Sequence, residues 1–465
     1  MKKLAGQEKI KRGKVQRLRA LVSVIAFLLC VGCNRPQNNR AAAETDPAPG
    51  TVSAAAAETQ SGTSGKVLHR AGSAHDGHPS SSPEATASAE AASQTADSGA
   101  RKHEPEPYAS AKYESEEYEL EERLQSMTLE EKAAQLFIIL PESLVESTGP
   151  VTAAGELTRN AFQNIPVGGF IYLGSNLESA EQVKAMLSHV QDISMERLNL
   201  PAFLSVDEEG GRVARIGGSG RFDVPVIGSM SEIGESGDKD RAYRTGAEIG
   251  AYLSALGFNL DFAPIADVLS NPDNTVVKGR SFGSDPENVS ALALSVANGL
   301  HDQGVLSVYK HFPGHGATAG DTHDGYAFTE KTIEELQSCE LIPFRDGIRA
   351  GIPFIMVGHF SLPQVTGNSL PASLSPAVIT GLLREEMGFD GIVITDALNM
   401  GAIAQQYSSA EAAILALKAG NDILLMPADF KSAYQGVLDA VARGELTTER
   451  IDESVRRILR IKLAG

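Results

Sequence analysis

Between residues 310 and 325 the chain reads KHFPGHGATAGDTHDG, the longest polar loop to follow an apolar run. Four groups in it can move protons or ligate a metal: His315, Asp321, His323 and Asp324. Asp321 and His323 are two residues apart, so the carboxylate can accept a hydrogen bond from one ring nitrogen. Such a bond fixes the imidazole tautomer and raises the basicity of the other nitrogen. The pair has the chemistry to protonate a leaving oxygen and then to deprotonate water. Asp396, in ITDALNM, is the candidate nucleophile. It ends an apolar run, where an aspartate with a purely structural task would cap the following helix.

Eight apolar runs position these groups: 135–140, 168–173, 202–207, 258–264, 307–313, 354–359, 391–397 and 422–427. Helical periodicity separates them, as in 180–190, 243–257 and 376–388, and Thr128 with Glu131 has the spacing of a capping box before the first run. Continuous apolar strands bounded by helices predict a parallel sheet covered on its outside. Eight strands over about 350 residues predict an α/β fold, a single (β/α)8 TIM-type barrel over 118–465. A doubly wound open sheet is the alternative, and no Gly-rich dinucleotide turn follows the first strand to support it. A barrel places its site at the C-terminal strand ends. There stand Asp207, Asp261 with Asp267 after it, Lys310 and His311, His359, and Asp396, charged or polar groups on five strands that suit a polar ligand.

The remaining chain is unlike the barrel. Residues 1–19 are basic, and 20–32 (ALVSVIAFLLCVG) are apolar and uncharged up to Cys33. That pattern predicts a secretory signal over 1–32, with an uncleaved anchor as the alternative. The Gly32–Cys33 junction resembles a bacterial lipoprotein signal, which implies lipidation of Cys33 and an exported protein held on a cell-envelope membrane. Residues 33–117 are rich in Ala, Ser, Thr, Glu, Gly and Pro, a composition that predicts a disordered tether. A formal charge of −18 argues against a nucleic-acid partner, and three cysteines in 465 residues make no disulfide scaffold. Cys339 reads as a packed residue.

The motifs VDEEGGRVAR (206–215), GRSFG (279–283), KHFPGHG (310–316), DTH (321–323) and ITDALNM (394–400) together resemble glycoside hydrolase family 3, in its bacterial β-N-acetylglucosaminidase branch. The resemblance spans roughly 120–465. It implies Asp396 as nucleophile and the Asp321–His323 dyad as general acid/base. It further implies sugar contacts from Asp207, Arg215, Arg280, Lys310 and His311, a covalent glycosyl-enzyme, net retention, and neither metal nor other cofactor. Many relatives carry a second domain after the barrel. A chain ending at Gly465 leaves no room for one, which implies a more open site. The expected partner is a glycan containing N-acetylglucosamine, from peptidoglycan or chitin, and the expected state is a monomer.

Three other readings stand beside this one. A metal-dependent hydrolase would use His311, His315, Asp321, His323 and Asp324. A sugar-binding lipoprotein would use the same barrel without turnover. A β-glycosidase of other specificity, or a phosphorylase, would share the fold. Glu208 and Glu209 read as loop or salt-bridge residues, His359 as lining the mouth or supporting His311, and Asp267 as orienting Arg280 or Lys310.

Overall fold

The computed structural model describes residues 107–322 and 325–464. The signal region, Cys33 and the tether up to 106 lie outside the described residues, as do His323 and Asp324.

Eight strands run in chain order: β1 (Phe137–Ile139), β2 (Gly169–Ile171), β3 (Phe203–Val206), β4 (Leu260–Asp261), β5 (Leu306–Phe312), β6 (Phe354–Val357), β7 (Ile392–Thr395) and β8 (Leu424–Leu425). Each falls within one of the eight apolar runs or begins one residue before it. All six neighbouring pairs from β1 to β7, together with β8 on β1, are parallel. A parallel bridge between Ile394 and Ile423 joins β7 to β8 and closes the barrel. The predicted (β/α)8 barrel is therefore the observed fold.

Its strands are short and almost wholly buried, as expected where side chains fill the barrel and helices cover its outside. Phe203 of β3 and Phe354 of β6 meet edge to face across the interior, with ring centres 5.5 Å apart. The helix Leu129–Gln135 opens with the predicted capping box: Thr128 Oγ1 accepts the Glu131 N–H, and the Glu131 carboxylate accepts the Thr128 N–H. At the far end of the barrel, Asp422 accepts the Val393 N–H at 2.9 Å and the Ser454 hydroxyl at 2.7 Å, and it binds Arg384 and Arg457. One carboxylate thus ties β7, the start of β8 and the last helix, Thr448–Ala464, together. That helix packs on the first described helix, Pro107–Ser126, through Arg456 and Glu121. The boundary drawn at 118 therefore falls inside a helix. Among the described residues no helix is long and apolar enough to cross a membrane.

Candidate active site

A cavity of about 550 Å³ opens at the C-terminal strand ends, where the barrel argument places it. Asp207, Arg215, Arg280, Lys310, His311, Asp321 and Asp396 all line it. Every described residue in the predicted site set is thus on one wall or another. His323 and Cys33 lie outside the described residues.

The β3 end builds the first wall. After Asp207 the chain makes a short antiparallel hairpin, Glu208–Gly210 with Val213–Ala214. Glu208 turns inward, where its carboxylate accepts the N–H groups of Ile216 and Gly217, each at 2.8 Å, and the Tyr252 hydroxyl at 2.9 Å. Burial outweighs these bonds and raises its pKa. Its structural task is to fix the turn that follows Arg215. Glu209 faces the cavity and binds Arg280 through both oxygens, at 2.8 and 2.7 Å, while Lys310 Nζ stands 2.7 Å from Oε1. Lys310 also donates to Asp207 at 2.9 Å, and Arg215 approaches the other Asp207 oxygen at 3.8 Å. Burial disfavours the Glu209 charge, but Lys310 and Arg280 more than offset it and hold the carboxyl well below its usual range. By the same balance Lys310 loses stability as a cation through burial and regains more from Glu209 and Asp207, so its pKa is raised. The result is a chain of alternating charges, Arg280–Glu209–Lys310–Asp207–Arg215, pre-set along the cavity wall.

The β5 end builds the second wall. Asp267, fully buried, accepts the backbone N–H of His311 at 3.1 Å and that of His315 at 2.6 Å. Its other oxygen stands 2.8 Å from His311 Nδ1. Burial raises its pKa, yet His311 and His315 together pull it below the ordinary value, so the carboxylate is ionised and can only accept. His311 therefore carries its proton on Nδ1. The expectation that Asp267 orients Arg280 or Lys310 is corrected here: Glu209 does that, and Asp267 holds the two histidines. Gly316 lets the turn lie flush on the strand-4 side of the barrel, since a Cβ there would stand 1.9 Å from the Val268 carbonyl oxygen.

Asp396 leaves the end of β7. Its backbone N–H donates to the Val357 carbonyl of β6 at 2.9 Å, and its Oδ1 accepts the Ala397 N–H at 2.8 Å. Burial opposes its ionisation; the charges of His311 and His359, the Ala397 N–H and Lys310 outweigh burial and lower the pKa to about 2. Among the described residues the carboxylate has no direct ion pair, an environment that suits a nucleophile.

Two polar residues predicted at the mouth stand behind it. His359 donates from Nε2 to the Ala397 carbonyl at 2.9 Å and accepts at Nδ1 from Ser373 Oγ at 2.7 Å, since a carbonyl can only accept. Burial lowers its pKa and keeps the ring neutral near pH 7. It braces the peptide after Asp396, and neither lines the cavity nor bonds His311. Asp261 points away as well: its Oδ1 accepts the Glu208 N–H at 2.9 Å, and burial raises its pKa well above the usual range. Strand 4 contributes to the cavity only through the loop that carries Arg280.

The cavity also contains residues outside the catalytic and sugar-binding set expected from the sequence. Glu209, Arg212, His315, Thr322, Met356, Asn399, Met400 and Met426 all line it. Arg212 donates to the carbonyls of Thr275 and Val276 and so fastens the Arg280 loop over the hairpin. Cys339 is partly buried against the core.

The model for "Glycosyl hydrolase family 3 N terminal domain" matches residues 128–461. Beta-hexosaminidase A of Pseudoalteromonas piscicida is 34% identical over 320 residues, 64% of this chain and 53% of that protein. Beta-hexosaminidase LpqI of Mycobacterium tuberculosis is 39% identical over 275 residues, 57% of this chain and 68% of that protein. The chain thus spans about half the length of the first of these relatives. Among solved structures, a glycoside hydrolase family 3 β-N-acetylglucosaminidase from Paenibacillus sp. superposes with a TM-score of 0.68 at 38% identity, covering 73% of this chain and 64% of that one. A glycosyl hydrolase of the same family from Mycobacterium smegmatis gives 0.62 at 36%, covering 73% and 98%. With the fold, the motifs and the family model in agreement over the whole barrel, the chain belongs to glycosyl hydrolase family 3.

Proposed function

We propose that the protein is a retaining exo-β-N-acetylglucosaminidase that removes terminal β-linked N-acetylglucosamine from peptidoglycan-derived glycans or chitin oligosaccharides. The observation that carries this reading is the wall of alternating charges facing an ionised Asp396 across one pocket. Asp207 and Lys310 suit sugar hydroxyls, and Arg215, whose Nε lacks a hydrogen-bond partner among the described residues, suits a carbonyl acceptor such as an acetamido oxygen. The names of the relatives favour a hexosamine substrate.

In the first step the Asp396 carboxylate attacks the anomeric carbon. The glycosidic bond breaks, and the leaving oxygen takes a proton from the His323 imidazolium. In the second step His323 removes a proton from water as the water attacks the same carbon, which frees Asp396 and delivers a product of retained configuration. Asp321 orients His323 and stabilises its charged form. The basic and apolar start of the chain, with Cys33 as a lipid attachment point, would hold the enzyme at an extracytoplasmic membrane face, where cell-wall fragments are the glycans at hand.

Purified muropeptides and N,N′-diacetylchitobiose, each followed by NMR of the product anomer, test the proposal. Release of β-N-acetylglucosamine as the first product supports it, and first appearance of the α-anomer overturns the retaining mechanism. The same spectra in phosphate buffer separate hydrolysis from phosphorolysis, which would yield the sugar 1-phosphate.

A further inference from the structure

His315 is a buried histidine, 1% exposed, whose ring nitrogens both face threonine hydroxyls. Nδ1 lies 3.0 Å from Thr318 Oγ1, and Nε2 lies 3.3 Å from Thr322 Oγ1. Thr318 Oγ1 also lies 2.9 Å from the His315 carbonyl. In either tautomer Nε2 and the Thr322 hydroxyl form a hydrogen bond, because a hydroxyl can donate or accept. The ring itself cannot drift. Its backbone N–H is held by Asp267 at 2.6 Å, and its faces and edges pack on Phe360 and His311, with ring centres 5.3 and 5.6 Å away.

Thr322 stands between Asp321 and His323 in the chain and is 1% exposed. Its carbonyl accepts the Ala402 N–H at 3.2 Å, in the segment that follows Asp396. One residue is thus tied by its side chain to the end of β5 and by its backbone to the loop leaving β7. We propose that His315 and Thr322 are positioning residues: the His315 ring holds the Thr322 hydroxyl, and Thr322 fixes the backbone that carries the proposed Asp321–His323 dyad. A displacement of about 1 Å in a proton donor is enough to cost a large factor in rate. The inference rests on the acid/base reading of the Asp321–His323 pair.

The test compares kcat/KM for two aryl N-acetylglucosaminides, one with a poor leaving group (4-methoxyphenol) and one that departs without a proton (2,4-dinitrophenol). In Thr322→Val, the hydroxyl is replaced by a methyl group of the same size. The account expects a loss of about tenfold or more on the poor leaving group, a fraction of the full contribution of a general acid, and less than about threefold on the dinitrophenyl substrate. His315→Phe should show the same selectivity, and Thr322→Ser, which keeps the hydroxyl, should restore the wild-type ratio. Equal losses on both substrates, no loss on either, or a Thr322→Ser variant as impaired as Thr322→Val would overturn the proposal. His323→Ala is the control. If it lacks leaving-group dependence, the acid/base assignment itself fails. If it shows the dependence and Thr322→Val does not, only the positioning role fails.

Discussion

Glu209 grips Arg280 with both carboxylate oxygens, at 2.8 and 2.7 Å, and shares Oε1 with the ammonium of Lys310 at 2.7 Å. This buried pair is the hinge of the site wall, because Glu209 orders two cations, one from the loop after β4 and one from β5, before any ligand arrives. Removing one partner from a buried ion pair leaves the other charge unpaired, at a cost of about 3–5 kcal/mol.

Glu209→Gln should therefore lower the unfolding free energy by that order in urea titrations. It should also raise KM at least about tenfold, since Arg280 and Lys310 lose their fixed directions. A variant with unchanged KM would show that the two cations are ordered by something else.

Asp396 is held at a pKa of about 2, below its ordinary carboxylate value, so the anion contributes stability at all pH values above that ordinary value and loses the contribution only as pH falls toward 2. An acid limb of kcat/KM lying between pH 4 and 6 therefore does not belong to Asp396. In the proposed mechanism the alkaline limb is loss of the general-acid proton of His323. Asp321→Asn, which removes the negative partner, should move that limb to lower pH by about one unit or more, as read from pH profiles.

Lys462 lies at the opposite end of the barrel, buried, with Nζ 2.8 Å from Gln135 Oε1, 2.8 Å from the Gly168 carbonyl and 4.8 Å from the Phe203 ring centre. Burial lowers its pKa to about 7, so the unfolded chain binds the extra proton between pH 7 and the ordinary lysine range. Folding stability relative to Lys462→Met should rise by about 1.4 kcal/mol per pH unit over pH 7–10 and be level below pH 7. Parallel denaturation curves at pH 7 and pH 9.5 read this directly.

Dialysis against EDTA should leave kcat unchanged. The ring nitrogens of His315 and Nδ1 of His311 are committed to hydrogen bonds, and among the described residues no three His, Cys, Asp or Glu side chains cluster as a metal-binding set. Loss of activity restored by one added divalent metal would contradict the metal-free mechanism.

The barrel was legible because its strands are doubly buried and so read as unbroken apolar runs such as FIMV (354–357) and IVIT (392–395). The convergence of polar groups on the cavity was legible too, because Asp207 and Asp396 are polar residues placed just where such runs stop. What the sequence left open was direction. Asp207, Glu208 and Glu209 are three successive acids, and only the hairpin geometry sends Glu208 to backbone amides and Glu209 to Arg280. Asp261, Asp267 and His359 look equally suited to the mouth, yet each turns to a backbone amide or carbonyl nearby. Partner choice among buried polar groups depends on contacts far apart in sequence, such as the 71 residues between Glu209 and Arg280, and periodicity carries no record of them.

The central claim is that Asp396 forms a bond to the sugar. Incubation with 5-fluoro-N-acetylglucosaminyl fluoride, followed by proteolysis and peptide mass spectrometry, tests it most directly, because the fluorine slows breakdown of any glycosyl-enzyme. The account predicts time-dependent inactivation and one labelled peptide, with the added sugar mass on Asp396. A label on another carboxylate, or full turnover of a natural substrate by Asp396→Asn, would contradict it.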